Sequence, residues 1–102
     1  MREYEVTVIL KNDLDDESRN ALIERVAGWL TPEGDEAAAP EINHWGRRSL
    51  AYEIKGAREG YYVLYQAQLD PAALQTVEQD IQYQDDILRH LVVVQEESTE
   101  QA

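Results

Sequence analysis

Arg2-Glu-Tyr-Glu-Val-Thr-Val-Ile-Leu10 repeats with a period of two: Tyr4, Val6, Val8 and Leu10 share one face, and Glu3, Glu5, Thr7 and Ile9 the other. That period belongs to a β-strand, and the apolar set marks the face that other elements must cover. Lys11-Asn-Asp-Leu-Asp15 follows with turn and N-cap chemistry, and acids at Asp15, Asp16 and Glu17 complement a helix N-terminus. Leu22, Val26, Trp29 and Leu30 then fall at i, i+4, i+7 and i+8, which predicts a helix over 16–30 stopping before Pro32.

Beyond it, Thr31 to Pro40 mixes breakers, small residues and charge, and reads as a solvated loop. Residues 41–54 are β-prone, with Leu50, Tyr52 and Ile54 in period two and a bulge or bend expected at Gly46. Lys55 to Gly60 carries the glycines of a hairpin connection, and Tyr61 to Leu69 alternate again, so a third strand pairs back on the second. Asp70-Pro71 opens a second helix with an acceptor at the N-cap and proline at the first helical position, and Leu74, Val77 and Ile81 form its buried stripe. Asp85-Asp86 turns the chain into a fourth strand over 87–95. The order β-α-β-β-α-β, with right-handed crossovers, predicts a ferredoxin-like α+β sandwich: a four-stranded antiparallel sheet with both helices on one face. One domain is expected over 1–95, with 96–102 as a flexible acidic tail.

Size and composition agree with a single domain, at 102 residues with 43% hydrophobic residues. Cysteine is absent, which excludes disulfide frameworks, thiolate metal sites and cysteine nucleophiles and fits the cytoplasm. No leader is expected to be removed, and no apolar run approaches the roughly 20 residues that span a bilayer, so no membrane association is expected.

The formal charge of -12 is unevenly spread: residues 43–58 carry +3 through Arg47, Arg48, Lys55, Arg58 and Glu53, and the rest carries -15. Positive potential is thus concentrated where an anion meets it. Arginine presents a planar fork to phosphate oxygens, and Trp45 and Tyr52 are aromatics placed to stack on bases or ribose. The same arginines equally suit an edge strand guarded against aggregation. On the sheet face left uncovered, the alternation places Ile9, Tyr62, Leu64, Leu91 and Val93, edged by Arg89. A contiguous apolar patch marks a partner or ligand, unless the tail or the long second strand folds over it.

Catalysis has little support. His44 and His90 stand in no metal-ligand spacing, Asp85-Asp86 serves as a turn, and the loop after the first strand is acidic where a phosphate-cradling loop is glycine-rich. No cofactor and no small-molecule substrate are expected.

Met1-Arg-Glu-Tyr-Glu-Val6, Trp45-Gly-Arg-Arg-Ser-Leu-Ala-Tyr-Glu-Ile54, Gly60-Tyr-Tyr-Val-Leu-Tyr65 and Asp85-Asp-Ile-Leu-Arg-His-Leu-Val-Val93 together resemble the family of the sixth protein of the bacterial small ribosomal subunit. The resemblance spans nearly the whole chain. It implies a structural, non-catalytic protein that binds small-subunit ribosomal RNA as a heterodimer with the eighteenth small-subunit protein, a basic partner that lets an acidic chain sit on RNA. Carried over by position, it implies RNA-facing roles for Arg2, Tyr4, Trp45, Arg47, Arg48 and Arg89, and a partner-facing surface at Tyr62, Leu64 and Leu91. The chain departs from the family in having Glu53 where proline is common, a longer acidic loop at 31–40 and less positive charge. Two other readings use the same fold: a stand-alone reader of single-stranded RNA through Tyr62, and a ligand-sensing regulatory module.

Overall fold

The computed structural model describes residues 2–32 and 38–95; the expected acidic tail at 96–102 and residues 33–37 of the acidic loop lie outside the described residues. The elements follow the predicted order: β1 (Arg2–Lys11), α1 (Asp16–Trp29), β2 (Glu41–Ile54), β3 (Ala57–Leu69), α2 (Pro71–Gln82) and β4 (Ile87–Gln95). They form one antiparallel sheet in the order β2-β3-β1-β4, so β1 and β3 are central and β2 and β4 are its edges. This is the ferredoxin-like sandwich.

Period two in β1 decides the inside. Val6 pairs with Tyr65 of β3 and Val92 of β4, and Val8 pairs with Val63 and His90. Val6, Val8, Leu10, Val63 and Tyr65 are fully buried, packed with Leu22, Ile23 and Val26 of α1 and Val77 and Ile81 of α2. Both helices therefore cover the same face. Each fully buried side chain of this size contributes about 1.5–3 kcal/mol relative to its exposed state.

Asp15 caps α1 as expected: its carboxylate accepts a hydrogen bond of 2.7 Å from the Ser18 backbone N–H, and that bond holds its carboxyl below the ordinary range. Asp70 stands at the N-cap of α2 but makes no side-chain cap bond, so Pro71 and the Leu74 N–H bond to the Asp70 carbonyl at 3.1 Å begin that helix. The Tyr65 hydroxyl donates 2.9 Å to the Ile23 carbonyl, tying β3 to α1, and burial raises its pKa far above that of a free phenol.

Two local corrections alter which side chains meet. The β2–β3 connection is a two-residue turn, Lys55-Gly56 with φ of 51° and 82°, rather than a six-residue loop; positive φ at both positions is the type I′ arrangement that matches strand twist. In β4, Ile9 pairs with Arg89 but Leu10 pairs with Ile87, so Leu88 is the extra residue of a bulge. Ile87, not Leu88, then joins the core beneath the helices.

Candidate nucleic-acid interface

The basic stretch lies on the free edge of the sheet and is shaped by a bulge. Ile42 pairs with Tyr65 and His44 with Val63, but Gly46 pairs with Tyr62, leaving Trp45 as one residue too many. Gly46 absorbs the insertion with φ of +85°, a backbone that side-chain-bearing residues resist. From there alternation is inverted: Arg47 pairs with Tyr61, on the helix side, and Arg48 pairs with Gly60, on the helix-free side.

Two contacts confirm the facing. Arg19 of α1 lies over the Tyr61 ring, 4.4 Å from its centroid, so Tyr61 and its partner Arg47 share the helices' side. A Cβ built on Gly60 would collide with the Ile9 side chain and touch Leu50, both on the other side. Arg48 is carried 5.6 Å above the Trp45 ring, and Trp45 is 48% exposed. Such an exposed cation–π pair contributes about 0.5–1 kcal/mol, enough to bias a rotamer and leave the donors free. Arg47 and Arg48 are exposed and form no ion pair among the described residues, whereas Arg58 lies 3.9 Å from Glu53 and Lys11 3.7 Å from Asp86.

Cross-strand pairing makes the helix-free face a graded surface. Glu3, Gln68 and Gln95 form its first row and Glu5, Gln66, Glu41 and Val93 the next. Thr7, Leu64 and Leu91 follow, then Ile9, Tyr62 and Arg89, and finally Lys11, Gly60 and Arg48. Carboxylates occupy one end, apolar side chains the middle and cations the other.

The far half of β2 covers the cationic end. Between the Ser49–Glu59 and Ile54–Ala57 pairs the register shifts, and Leu50, Tyr52 and Ile54 line one cleft of about 240 Å³ with Ile9, Tyr62 and Leu91. Arg89 donates from Nη1 to the Tyr52 hydroxyl across that cleft. The second strand therefore folds over part of the patch, as one of the sequence readings allowed.

The predicted residues consequently separate. Arg47, Arg48 and Trp45 share one exposed edge, and Arg89 lies on the same end of the helix-free face. Arg2 is exposed at the opposite end of β1, roughly 30 Å from Lys11 at about 3.3 Å per residue, and is not brought to the cluster. Tyr4, expected to face RNA, is 4% exposed because its place in the β1 alternation puts it in the core. Leu64, expected to face a partner, is 9% exposed between its neighbouring strands, and Tyr62 is half-buried within the cleft. Leu91, at 56%, and Val93, at 45%, are the large aliphatic side chains that this face offers to solvent among the described residues. Lys11 joins the surface without having been assigned to it, and Tyr52, expected as a stacking aromatic, is bonded to Arg89 beside the cleft. The isolated glycine Gly60 within an alternating strand was the available signal, since such a glycine marks a close approach.

His44 and His90 are each held locally: His44 Nδ1 lies 3.1 Å from the Tyr61 hydroxyl, and His90 Nε2 lies 3.5 Å from Glu78. Among the described residues no three His, Cys, Asp or Glu side chains converge as a metal site.

Residues 3–94 match the protein family described as Ribosomal protein S6. The chain is 43% identical to the small ribosomal subunit protein bS6 of Desulforudis audaxviator (strain MP104C) over 93 residues, which are 91% of this chain and 97% of that one. It is 40% identical to the protein of the same name from Carboxydothermus hydrogenoformans, over 91% of this chain and 95% of the relative. Its fold is similar to the crystal structure of 30S ribosomal protein S6 from Thermotoga maritima, with a TM-score of 0.81 at 28% identity over 92% of this chain and 87% of that one.

Proposed function

The chain belongs to the ribosomal protein S6 family and is a structural component of the small ribosomal subunit in the bacterial cytoplasm, not an enzyme, and on that premise we propose that it binds small-subunit ribosomal RNA through the β2 edge while the eighteenth small-subunit protein docks on its helix-free face. One observation carries the RNA half of this reading. Arg47 and Arg48 are exposed and unpaired by any carboxylate among the described residues, on a free strand edge, in a stretch of +3 on a chain that is otherwise -15. Trp45 stands beside them with an exposed ring, and phosphate contacts with aromatic stacking are the usual chemistry of RNA recognition.

The same charge imbalance supports the partner. A body of net -12 repels a polyanion at long range, so local contacts gain from a basic companion that neutralises the field. Leu91 and Val93 supply the apolar centre of a docking surface, and Glu3, Glu5 and Glu41 supply carboxylates to meet its cations. Arg89 and Tyr52 border that surface at its cationic end.

The test is titration of the purified chain into small-subunit ribosomal RNA with and without the eighteenth protein. Tight binding is expected with the partner present and weak binding without it. Failure to bind RNA in the partner's presence would refute the proposal.

A further inference from the structure

The inverted alternation at Trp45 gives the two arginines different surroundings. Arg48 looks onto the helix-free side with Trp45 beneath it and Lys11 one strand further across Gly60. Arg47 looks onto the helix side, paired with Tyr61, whose hydroxyl meets His44 at 3.1 Å and whose ring carries Arg19 at 4.4 Å. Arg19 is itself fixed by Asp16 at 2.7 Å, so the Tyr61 ring is pinned between a helix cation and a strand histidine. On each face of the sheet, an exposed arginine of β2 therefore stands with an aromatic ring and a further nitrogen-bearing side chain: Arg48 with Trp45 and, two strands away, Lys11, and Arg47 with Tyr61 of β3 and His44.

Adjacent residues on opposite faces of a strand cannot share one phosphate, because their side chains leave the backbone in opposite directions. Had the strand been regular, a pair at consecutive positions would also have split. The bulge decides which neighbours each arginine receives: it sets Arg48 beside Trp45 and Arg47 beside Tyr61 and His44. An arginine whose only role was to guard an edge would need neither an ordered aromatic nor a hydroxyl donor beside it.

We propose that Arg47, Tyr61 and His44 form a second phosphodiester-binding patch on the helix side of β2, so that RNA backbone is held on both faces of this edge rather than along the helix-free face alone. Arg47 supplies the charged fork, the hydrogen-bonded Tyr61–His44 pair supplies one further donor, and Arg19 acts behind them as a positioning residue that holds the Tyr61 ring. This inference rests on the RNA-binding reading above, and deepens it by naming a binding surface that does not lie on the partner's side of the sheet.

Two measurements test it on the full chain in complex with its basic partner and small-subunit ribosomal RNA. In the first, the salt dependence of RNA affinity is compared for Arg47→Gln, Arg48→Gln and the double variant; both side chains are exposed, so the fold is retained, and a thermal melt checks this. Each phosphate contact contributes about one unit to the slope of log affinity against log salt, so each single variant should lose about one and the double about two. Loss for Arg48→Gln with an unchanged slope for Arg47→Gln would overturn the helix-side patch while leaving RNA binding intact. Unchanged slopes for both would overturn the RNA-binding reading itself.

In the second, a cleaving iron chelate is tethered to single cysteines, which is direct here because the chain has none of its own. Ser49→Cys reports from the helix side, since Ser49 pairs with Glu59 in the phase of Arg47, and Asn43→Cys reports from the other, since Asn43 pairs with Leu64. Both positions are exposed. The proposal expects cleavage from both positions at different stretches of RNA. Cleavage from Asn43→Cys alone contradicts it.

Discussion

Arg89 and Tyr52, 37 residues apart in sequence, are joined across the helix-free face by a hydrogen bond from guanidinium to phenol oxygen. The bond fastens the far half of an edge strand over Ile9 and Tyr62, so it decides how much of that face remains for a partner. Tyr52 is 61% exposed, which keeps the contribution of the bond to global stability near 1 kcal/mol or below. Its effect is local. Tyr52→Phe should leave the melting temperature nearly unchanged and accelerate amide hydrogen exchange in residues 50–54, with the β1 and β3 amides unaffected. Unchanged exchange in 50–54 would show that the strand is held by other contacts.

Gly60 is required by Ile9. A Cβ at position 60 collides with the Ile9 side chain, with the Leu10 carbonyl at 3.3 Å closing the other direction. Gly60→Ala should destabilise the chain by about 1–3 kcal/mol, as crowding of a packed site does. Adding Ile9→Ala should restore part of that loss, giving a non-additive double-mutant cycle by denaturant unfolding. Simple additivity would mean that the two positions do not compete for space.

Tyr65 makes stability fall on the alkaline side. Its folded-state pKa is raised by burial, with a smaller contribution from Glu24, so the neutral phenol is bound more tightly in the folded chain. The contribution is complete below the unfolded phenol value of about 10 and declines as pH rises above it. Tyr65→Phe should cost about 1 kcal/mol at neutral pH through loss of the bond to the Ile23 carbonyl, and should flatten the decline above pH 10. An equally steep alkaline limb in the variant would contradict this assignment.

Asp15 acts on the acid side with the opposite sign. Its carboxyl is held low by the Ser18 N–H, so its stabilisation is present above the unfolded value of 3.8 and is lost as pH falls through the lower folded value. Asp15→Ala should lower the melting temperature at pH 7 and shrink the difference between pH 7 and strongly acid conditions. A melting temperature equal to that of the parent at pH 7 would exclude the cap as a stabilising contact.

Leu91 is the most exposed apolar side chain of β4 and sits in the middle of the graded face. Leu91→Asp should weaken binding of the eighteenth small-subunit protein at least tenfold by titration calorimetry, since a buried charge at an interface centre is costly. The isolated fold should be unaffected. Unaltered affinity would move the docking surface elsewhere.

The fold was legible because β1 states its own inside: a strict apolar alternation leaves one choice of buried face, and Asp15 and Asp70-Pro71 announce both helices. The bulge expected at Gly46 is present, with Trp45 as its extra residue, and Arg89, Leu91 and Val93 lie on the face that alternation gave them; what no pattern announced is Leu88, the extra residue of the β4 bulge, which leaves Ile87 in the core. Tyr4 shows a different conflict, since its alternation places it inside while its position in the family resemblance placed it on RNA, and burial decided the matter. Leu64 was correctly placed on the helix-free face, yet its exposure depended on neighbouring strands and on an overlying β2 that no local pattern describes.

The adjacent arginines of the β2 edge are proposed to hold this chain on ribosomal RNA. The most direct test is incorporation of an Arg47→Glu, Arg48→Glu double variant into small ribosomal subunits, measured by quantitative mass spectrometry of purified particles from cells in which it replaces the parent chain. The expected result is its absence from the particles while the isolated variant melts as the parent does. Incorporation at the parent level would contradict the account.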